Sequence, residues 1–218
     1  MSLKDLLKQE LEKELPGTDF QNQMLPLHKT DREFPVRKSI KAAVSVIIYS
    51  PVNVLPQIIL IKRTDYNGPH SGQISFPGGK VDKADITLYE TAVRECHEEI
   101  GIKLKTSELL GSLTPLNIQV SGFDVTPFVF YIDEKKDFLL NRHEVRYLVP
   151  CYLTVLLDKK KSKNTRLHVK EHEILAPYFD IENEIVWGAT SMILAELKEI
   201  LTRIEQKNPG VITSGNLF

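Results

Sequence analysis

The chain is short of the residues that cross-link or anchor a protein. It has only two cysteines, Cys96 and Cys151, and no C-x-x-C pair, so a disulfide framework and a thiolate zinc site are both excluded as its organising principle. No apolar run is long enough to span a bilayer. The first residues are amphipathic and rich in Lys and Glu, unlike a secretory leader. An excess of one charge is missing too. With 28 Lys and Arg against 29 Asp and Glu the net charge is −1, which argues against a general electrostatic binder of nucleic acid. Internal repeats and low-complexity tracts are absent. These exclusions point to a protein of a reducing cytoplasm with neither a membrane nor a nucleic acid as partner.

What is present fits a sizeable core. Hydrophobic residues make up 42% and charged residues 26% of 218 positions, the balance of one globular domain with an extension. The expected layout is an N-terminal helix and linker over 1–35, a main domain over 36–208 and a loose tail over 209–218. Leu3, Leu7, Leu11 and Leu15 recur at i+4 before Pro16-Gly17, which predicts a helix over 2–15. Thr18 to Pro35 reads as loop. Lys38 to Tyr49 and Gln57 to Lys62 are nearly continuous apolar strands around a proline-containing turn, the pattern of a buried hairpin. Further strands are expected at 111–120, 125–132 and 145–149, the last stopped by Pro150. A strand pair is expected around Lys170-Glu171, and an apolar stripe after Trp187 predicts a closing helix.

The densest chemistry lies between Phe76 and Ile102. Phe76-Pro77-Gly78-Gly79-Lys80 precedes a helix that Thr87 and Glu90 open as a capping box and Gly101 closes. Leu88, Ala92, Cys96 and Ile100 form its apolar side, which makes Cys96 a core residue. Glu95, Glu98 and Glu99 share an adjoining sector. Like charges at that spacing cost roughly 0.2–0.5 kcal/mol per pair on an exposed helix. Arg94 offsets part of this, and a hard divalent cation, Mg²⁺ or Mn²⁺, suits the remaining oxygen ligands. Gly78-Gly79 permits close approach of backbone to a ligand, with amides that can receive phosphate oxygens.

This stretch resembles the Nudix box, G-x5-E-x7-R-E-U-x-E-E-x-G-U, with U a bulky aliphatic residue. Gly79 stands at its first glycine, and Arg94, Glu95, Glu98, Glu99, Gly101 and Ile102 match its second half. It departs in having Asp85 for the first acid, eight residues instead of seven between that acid and Arg94, and Cys96 at an aliphatic position. The extra residue is similar to the coenzyme A pyrophosphatase branch. So are Ile59-Leu60-Ile61-Lys62-Arg63-Thr64, Gly72, Phe76-Pro77-Gly78-Gly79 and Trp187-Gly188-Ala189-Thr190. One branch arginine is replaced by Gly68.

The resemblance implies an α/β fold, a mixed sheet between helices, and metal-dependent hydrolysis of a nucleoside diphosphate derivative. In the branch the substrate is coenzyme A or an acyl-CoA, giving adenosine 3′,5′-bisphosphate and a phosphopantetheine. Nucleotide sugars and dinucleotides are the neighbouring substrates, and a catalytically silent Nudix binding scaffold is the alternative from another class. Glu95 and Glu99, at i,i+4, are expected as main metal ligands, with the Gly79 carbonyl as another. Glu98 is a second ligand or the base that takes the water's proton. Arg94 orients a box glutamate, against the plainer reading of a surface pair with Glu98. Arg63, His70, Gln73 and Gly78 are expected to meet the substrate, and Glu144 is a further acid before a short strand. A homodimer is left open.

Overall fold

The computed structural model describes residues 1–26, 39–66, 70–118, 121–169 and 172–213. Its main sheet has eight strands: β1 (Ile40–Tyr49), β2 (Gln57–Arg63), β3 (Ile74–Ser75), β4 (Gly78–Lys80), β5 (Leu109–Ser112), β6 (Leu116–Ile118), β7 (Phe123–Ile132) and β8 (Val145–Tyr152). The order β3-β2-β1-β7-β5 forms the spine; β4 pairs with β1, β6 with β7 and β8 with β2. The sheet is mixed. β1 and β7 run parallel over their whole length, from Ile40↔Phe123 to Tyr49↔Ile132, and the other pairings are antiparallel. A smaller antiparallel sheet joins β9 (Ser162–Val169), β10 (His172–Ile181) and β11 (Glu184–Trp187).

Among the described residues five α-helices accompany these strands: α1 (Leu3–Leu11), α2 (Thr18–Gln21), α3 (Leu88–Ile100), α4 (Leu153–Leu157) and α5 (Gly188–Lys207). The apolar runs of the central strands are continuous because both faces of the sheet are covered. Successive side chains alternate between two cores. Val46, Ile48, Ile58, Leu60, Val129 and Tyr131 join the core that holds Leu7 of α1 and Leu197 and Leu201 of α5. Ile47, Ile59, Ile61, Phe130 and Ile132 join the one that holds Cys96 and Ile100 of α3. The α/β arrangement expected from the box is therefore the one observed, and no helix among the described residues is long and apolar enough to cross a membrane.

Several local expectations need correction. Helix α1 stops at Leu11, yet it is capped by a Ser2–Asp5 box and buries Leu3, Leu6, Leu7 and Leu11. The segment after it is not simply loop: α2 and a 3₁₀ turn over Asn22–Met24 bury Gln21 and Met24. Residues 27–38 lie outside the described residues. Strands β1 and β2 pair only near their turn, at Ile48↔Ile58 and Tyr49↔Gln57, because β1 then receives β4. Pro150 does not stop β8; it sits opposite Ile59 in a strand whose only sheet partner among the described strands is β2, where proline is tolerated. The β9–β10 pair is present, and its turn residues Lys170 and Glu171 lie outside the described residues. Residues 209–213 are not a loose tail: Ile212 is fully buried, and Glu205 accepts from the amides of Gly210 and Ile212.

Candidate active site

Helix α3 is fixed before any ligand is considered. Thr87 accepts from the Glu90 amide at 3.2 Å while the Glu90 carboxylate accepts from the Thr87 amide at 3.1 Å, so the predicted capping box is formed. Gly101 ends the helix in the left-handed region at φ 76°. The buried Ser45 hydroxyl of β1 donates to the Ala92 carbonyl at 2.9 Å, pinning the middle of the helix to the sheet.

Strand β4 pairs with β1 beside α3, and both of its glycines stand in tight quarters. A side chain at Gly78 would come within 2.5 Å of the Ala43 carbonyl oxygen. One at Gly79 would collide with the Glu95 carboxylate, so the backbone lies flat against that acid. The Phe76-Pro77 segment leading into β4 is held from the other side of the molecule. The buried Thr190 hydroxyl at the start of α5 donates to the Ile74 carbonyl at 3.0 Å. That bond gives the Trp187-to-Thr190 motif a physical role beyond packing.

The acids of α3 differ in environment more than their spacing suggests. The side chain of Glu99 is 1% exposed, that of Glu95 16% and that of Glu98 51%. One oxygen of Glu99 accepts from Arg63 Nη1 at 3.1 Å and the other from the Gly78 amide at 2.9 Å. Burial nonetheless pushes its carboxyl up to about 7. Burial also raises Glu95, with Glu98 and Glu144 adding repulsion and Arg94 acting the other way.

Arg94 is more than a surface partner of Glu98. Its Nε and Nη2 form a two-pronged contact with Asp85 at 2.9 and 2.8 Å. Its Nη1 reaches Glu95 and Glu98, each at 2.9 Å, and Nη2 also donates to the Lys80 carbonyl at 3.0 Å. The Arg94 contact holds Asp85 well below the usual carboxylate range, and Asp85 in turn raises Arg94. Asp85 further accepts from the Thr91 hydroxyl at 2.9 Å and the Asp82 amide at 2.9 Å. The sequence reading noted Asp85 only as a departure in the box. Its position six residues before Thr91 and nine before Arg94 is the signal that it anchors both.

Outside the helix the assigned residues separate into two groups. Arg63 is brought to the site, at the end of β2 where a register shift against β8 falls between Lys62 and Arg63. Glu144 is close enough to raise both Glu95 and Glu99, and its carboxylate accepts from Asn141 Nδ2 at 3.2 Å. Asn141, which sequence reasoning missed, also donates its amide to the Glu99 carbonyl at 3.0 Å, tying the loop before β8 to the end of α3. His70 and Gln73 hydrogen-bond each other at 2.9 Å on the loop after β2. The Gly78 amide is engaged by Glu99 instead of standing free for a phosphate oxygen. Gly68 lies outside the described residues.

Among the described residues no group of three or more His, Cys, Asp or Glu side chains is gathered in an arrangement ready to hold a metal ion. The reason is visible in the contacts: guanidinium groups hold the acids, Arg94 on Glu95 and Glu98 and Arg63 on Glu99. The donor set still fits a hard dication. It is all oxygen, it places Asp85, Glu95, Glu98, Glu99 and Glu144 around only Arg63 and Arg94, and burial leaves Glu95 and Glu99 poorly compensated.

Comparison with known proteins bears on this arrangement. Residues 40–182 match the model of the NUDIX domain, a span that holds the main sheet, α3 and the first two strands of the smaller sheet. An uncharacterized Nudix hydrolase NudL of Yersinia enterocolitica serotype O:8 / biotype 1B is 34% identical over 146 residues, 66% of this chain and 73% of that protein. NudL of Yersinia pestis (strain Pestoides F) is also 34% identical over 146 residues, 66% of this chain and 72% of its own length. Among solved structures, a MutT/nudix family protein from Enterococcus faecalis aligns with a TM-score of 0.53 at 14% identity, covering 98% of this chain and 74% of that one. That last likeness is one of fold.

Proposed function

The chain belongs to the NUDIX family of hydrolases acting on nucleoside diphosphate derivatives, and on that premise we propose that its substrate is coenzyme A or an acyl-CoA. Water adds across the diphosphate: one P–O–P bridge breaks, giving adenosine 3′,5′-bisphosphate and phosphopantetheine or its acylated form. The observation that carries the substrate reading is the bond between Thr190 and Ile74. It ties β3, which leads into Phe76-Pro77-Gly78-Gly79, to the Trp187-Gly188-Ala189-Thr190 entry of α5, and both stretches resemble the coenzyme A branch.

The residues divide the work by exposure and charge. Glu95 and Glu99 would hold Mg²⁺ or Mn²⁺, with the Gly79 carbonyl and Glu98 as further oxygen donors. Such an ion, when bound, neutralises phosphate oxygens and lowers the pKa of water. Glu98 is half-exposed and so reachable by water, which suits it to accept the proton of the attacking water. Arg94 fixes Glu95 and Glu98 relative to each other and to β4. Arg63 supplies positive charge to the diphosphate, with His70 and Gln73 on the adjoining loop. Glu144 adds a further acid at the rim.

Gly68, where the branch has an arginine, favours a second reading: another nucleoside diphosphate derivative, such as a nucleotide sugar or a dinucleotide. One experiment separates the two. The protein is incubated with Mg²⁺ or Mn²⁺ and coenzyme A, an acyl-CoA, nucleotide sugars and dinucleotides in turn, and the products are resolved by chromatography. Conversion of coenzyme A to adenosine 3′,5′-bisphosphate is expected. Turnover of nucleotide sugars or dinucleotides with coenzyme A left intact would replace the substrate reading with the second one.

A further inference from the structure

Arg63 has an unusual set of partners for a structural arginine. Its Nη1 holds the buried Glu99 at 3.1 Å, but its Nε is buried and has no hydrogen-bond partner among the described residues. An unmade bond at a buried donor is costly. The backbone amides here, by contrast, are committed. The Arg63 amide donates to the Gln73 carbonyl at 3.0 Å, and the next amide, of Thr64, donates to the Glu144 carbonyl at 2.9 Å. The β2–β8 register shift between Lys62 and Arg63 falls at this point, a feature that commonly re-aims a side chain beside a reacting centre. A side chain fixed at its base, with one donor on Glu99 and one donor idle, is built to change partners.

We propose that Arg63 serves two anions in turn: Glu99 in the metal-free protein, and a phosphate oxygen of the bound diphosphate once Glu99 is engaged by a dication. This rests on the reading of α3 as the metal-binding element. The exchange keeps charge balanced at each stage. Before metal enters, the guanidinium offsets a carboxylate that is 1% exposed. Afterwards the freed fork presents Nε and Nη donors together, the geometry that suits a phosphate. Metal occupancy and substrate affinity are then coupled through one side chain. This contact does not itself choose among diphosphates, because it is with the phosphate and not with the groups it joins.

The test measures two affinities that a purely structural role would move together. Mn²⁺ binding is titrated calorimetrically on the full chain without nucleotide. Binding of α,β-methylene-ADP, a diphosphate that resists cleavage, is then titrated at saturating Mn²⁺. In Arg63→Gln, Mn²⁺ no longer competes with a guanidinium for Glu99, so its affinity should rise, by up to about tenfold, while the analogue binds about tenfold more weakly. Weaker or unchanged Mn²⁺ binding in that variant would overturn the proposal. If Arg63→Gln does not fold, Arg63→Lys retains a cation for Glu99 but loses the Nε donor. It should then bind Mn²⁺ as the native protein does and the analogue more weakly; unchanged analogue affinity would overturn the proposal. Because the analogue reads binding of a diphosphate and involves no turnover, failure here is distinct from a failure to hydrolyse coenzyme A.

Discussion

Glu99 and Glu196 are both buried acids on helices, and they are provided for in opposite ways. Glu196, in the middle of α5, is fully buried and accepts from four neutral donors: the Gly17 amide at 3.2 Å, Gln21 Nε2 at 2.8 Å, and the Thr114 amide and hydroxyl at 3.2 and 2.7 Å. Fixed dipoles from two separate segments converge on it, so it knots the N-terminal segment and the β5–β6 connection onto α5. Glu99 receives one amide and one guanidinium, and its carboxyl stays raised to about 7. The first acid is complete as it stands, while the second still lacks positive charge. A buried acid that the fold leaves short of donors, beside two more acids, is the mark of a site.

The largest expected effect comes from Glu99→Gln. It keeps the shape of the side chain and removes the charge, so hydrolysis should fall by about 10²–10³-fold with the fold intact. Steady-state rates in Mg²⁺, with circular dichroism as the control for folding, check this; native turnover would remove Glu99 from the site. Glu196→Ala should do the reverse. It strands the Gly17, Gln21 and Thr114 donors and should cost about 2–4 kcal/mol of stability, read by urea unfolding, with kcat for the folded fraction unchanged. A loss of kcat without a loss of stability would abolish the distinction between the two acids.

The comparison sharpens with pH. The Glu99 carboxyl titrates near 7 in the folded protein against an ordinary value of 4.5, so it takes up a proton on folding between those values. Without metal, this group's contribution is most favourable below pH 4.5 and is lost as pH rises through 7, by up to about 3 kcal/mol. The difference in melting temperature between the native chain and Glu99→Gln, measured in EDTA, should therefore change across that window. A constant difference would show that Glu99 is already compensated. The smallest effect is that of Asp85→Ala, which removes the two-pronged hold on Arg94 while leaving the three helix acids in place. About a tenfold loss of kcat is expected, and native kcat would mean that Arg94 needs no anchor.

Much of this was legible in the chain. The α3 caps, the glycine pair and the three acids are local patterns, and the alternation of the central strands follows from their continuous apolar runs. What escaped depends on contacts between distant residues. Asp85 could not be read as the Arg94 anchor until the loop before α3 folded back on it. Gly78 read as a phosphate amide because Glu99, 21 residues on, was not known to claim it. Gln21 read as part of a linker because its bonds go to Thr114 and Glu196. Pro150 read as a strand stop because a sequence does not show which strands lie at an edge. Spacing places acids on one helix sector, but it does not show how unequally the fold buries them.

The central claim is that α3 carries dications where arginines now hold its acids. Crystals soaked in Mn²⁺ and measured for anomalous scattering test it most directly. A peak bonded to Glu95 and Glu99, with Arg63 moved off Glu99, is expected. An absence of signal along α3, with the Arg63–Glu99 pair intact at saturating Mn²⁺, would contradict it.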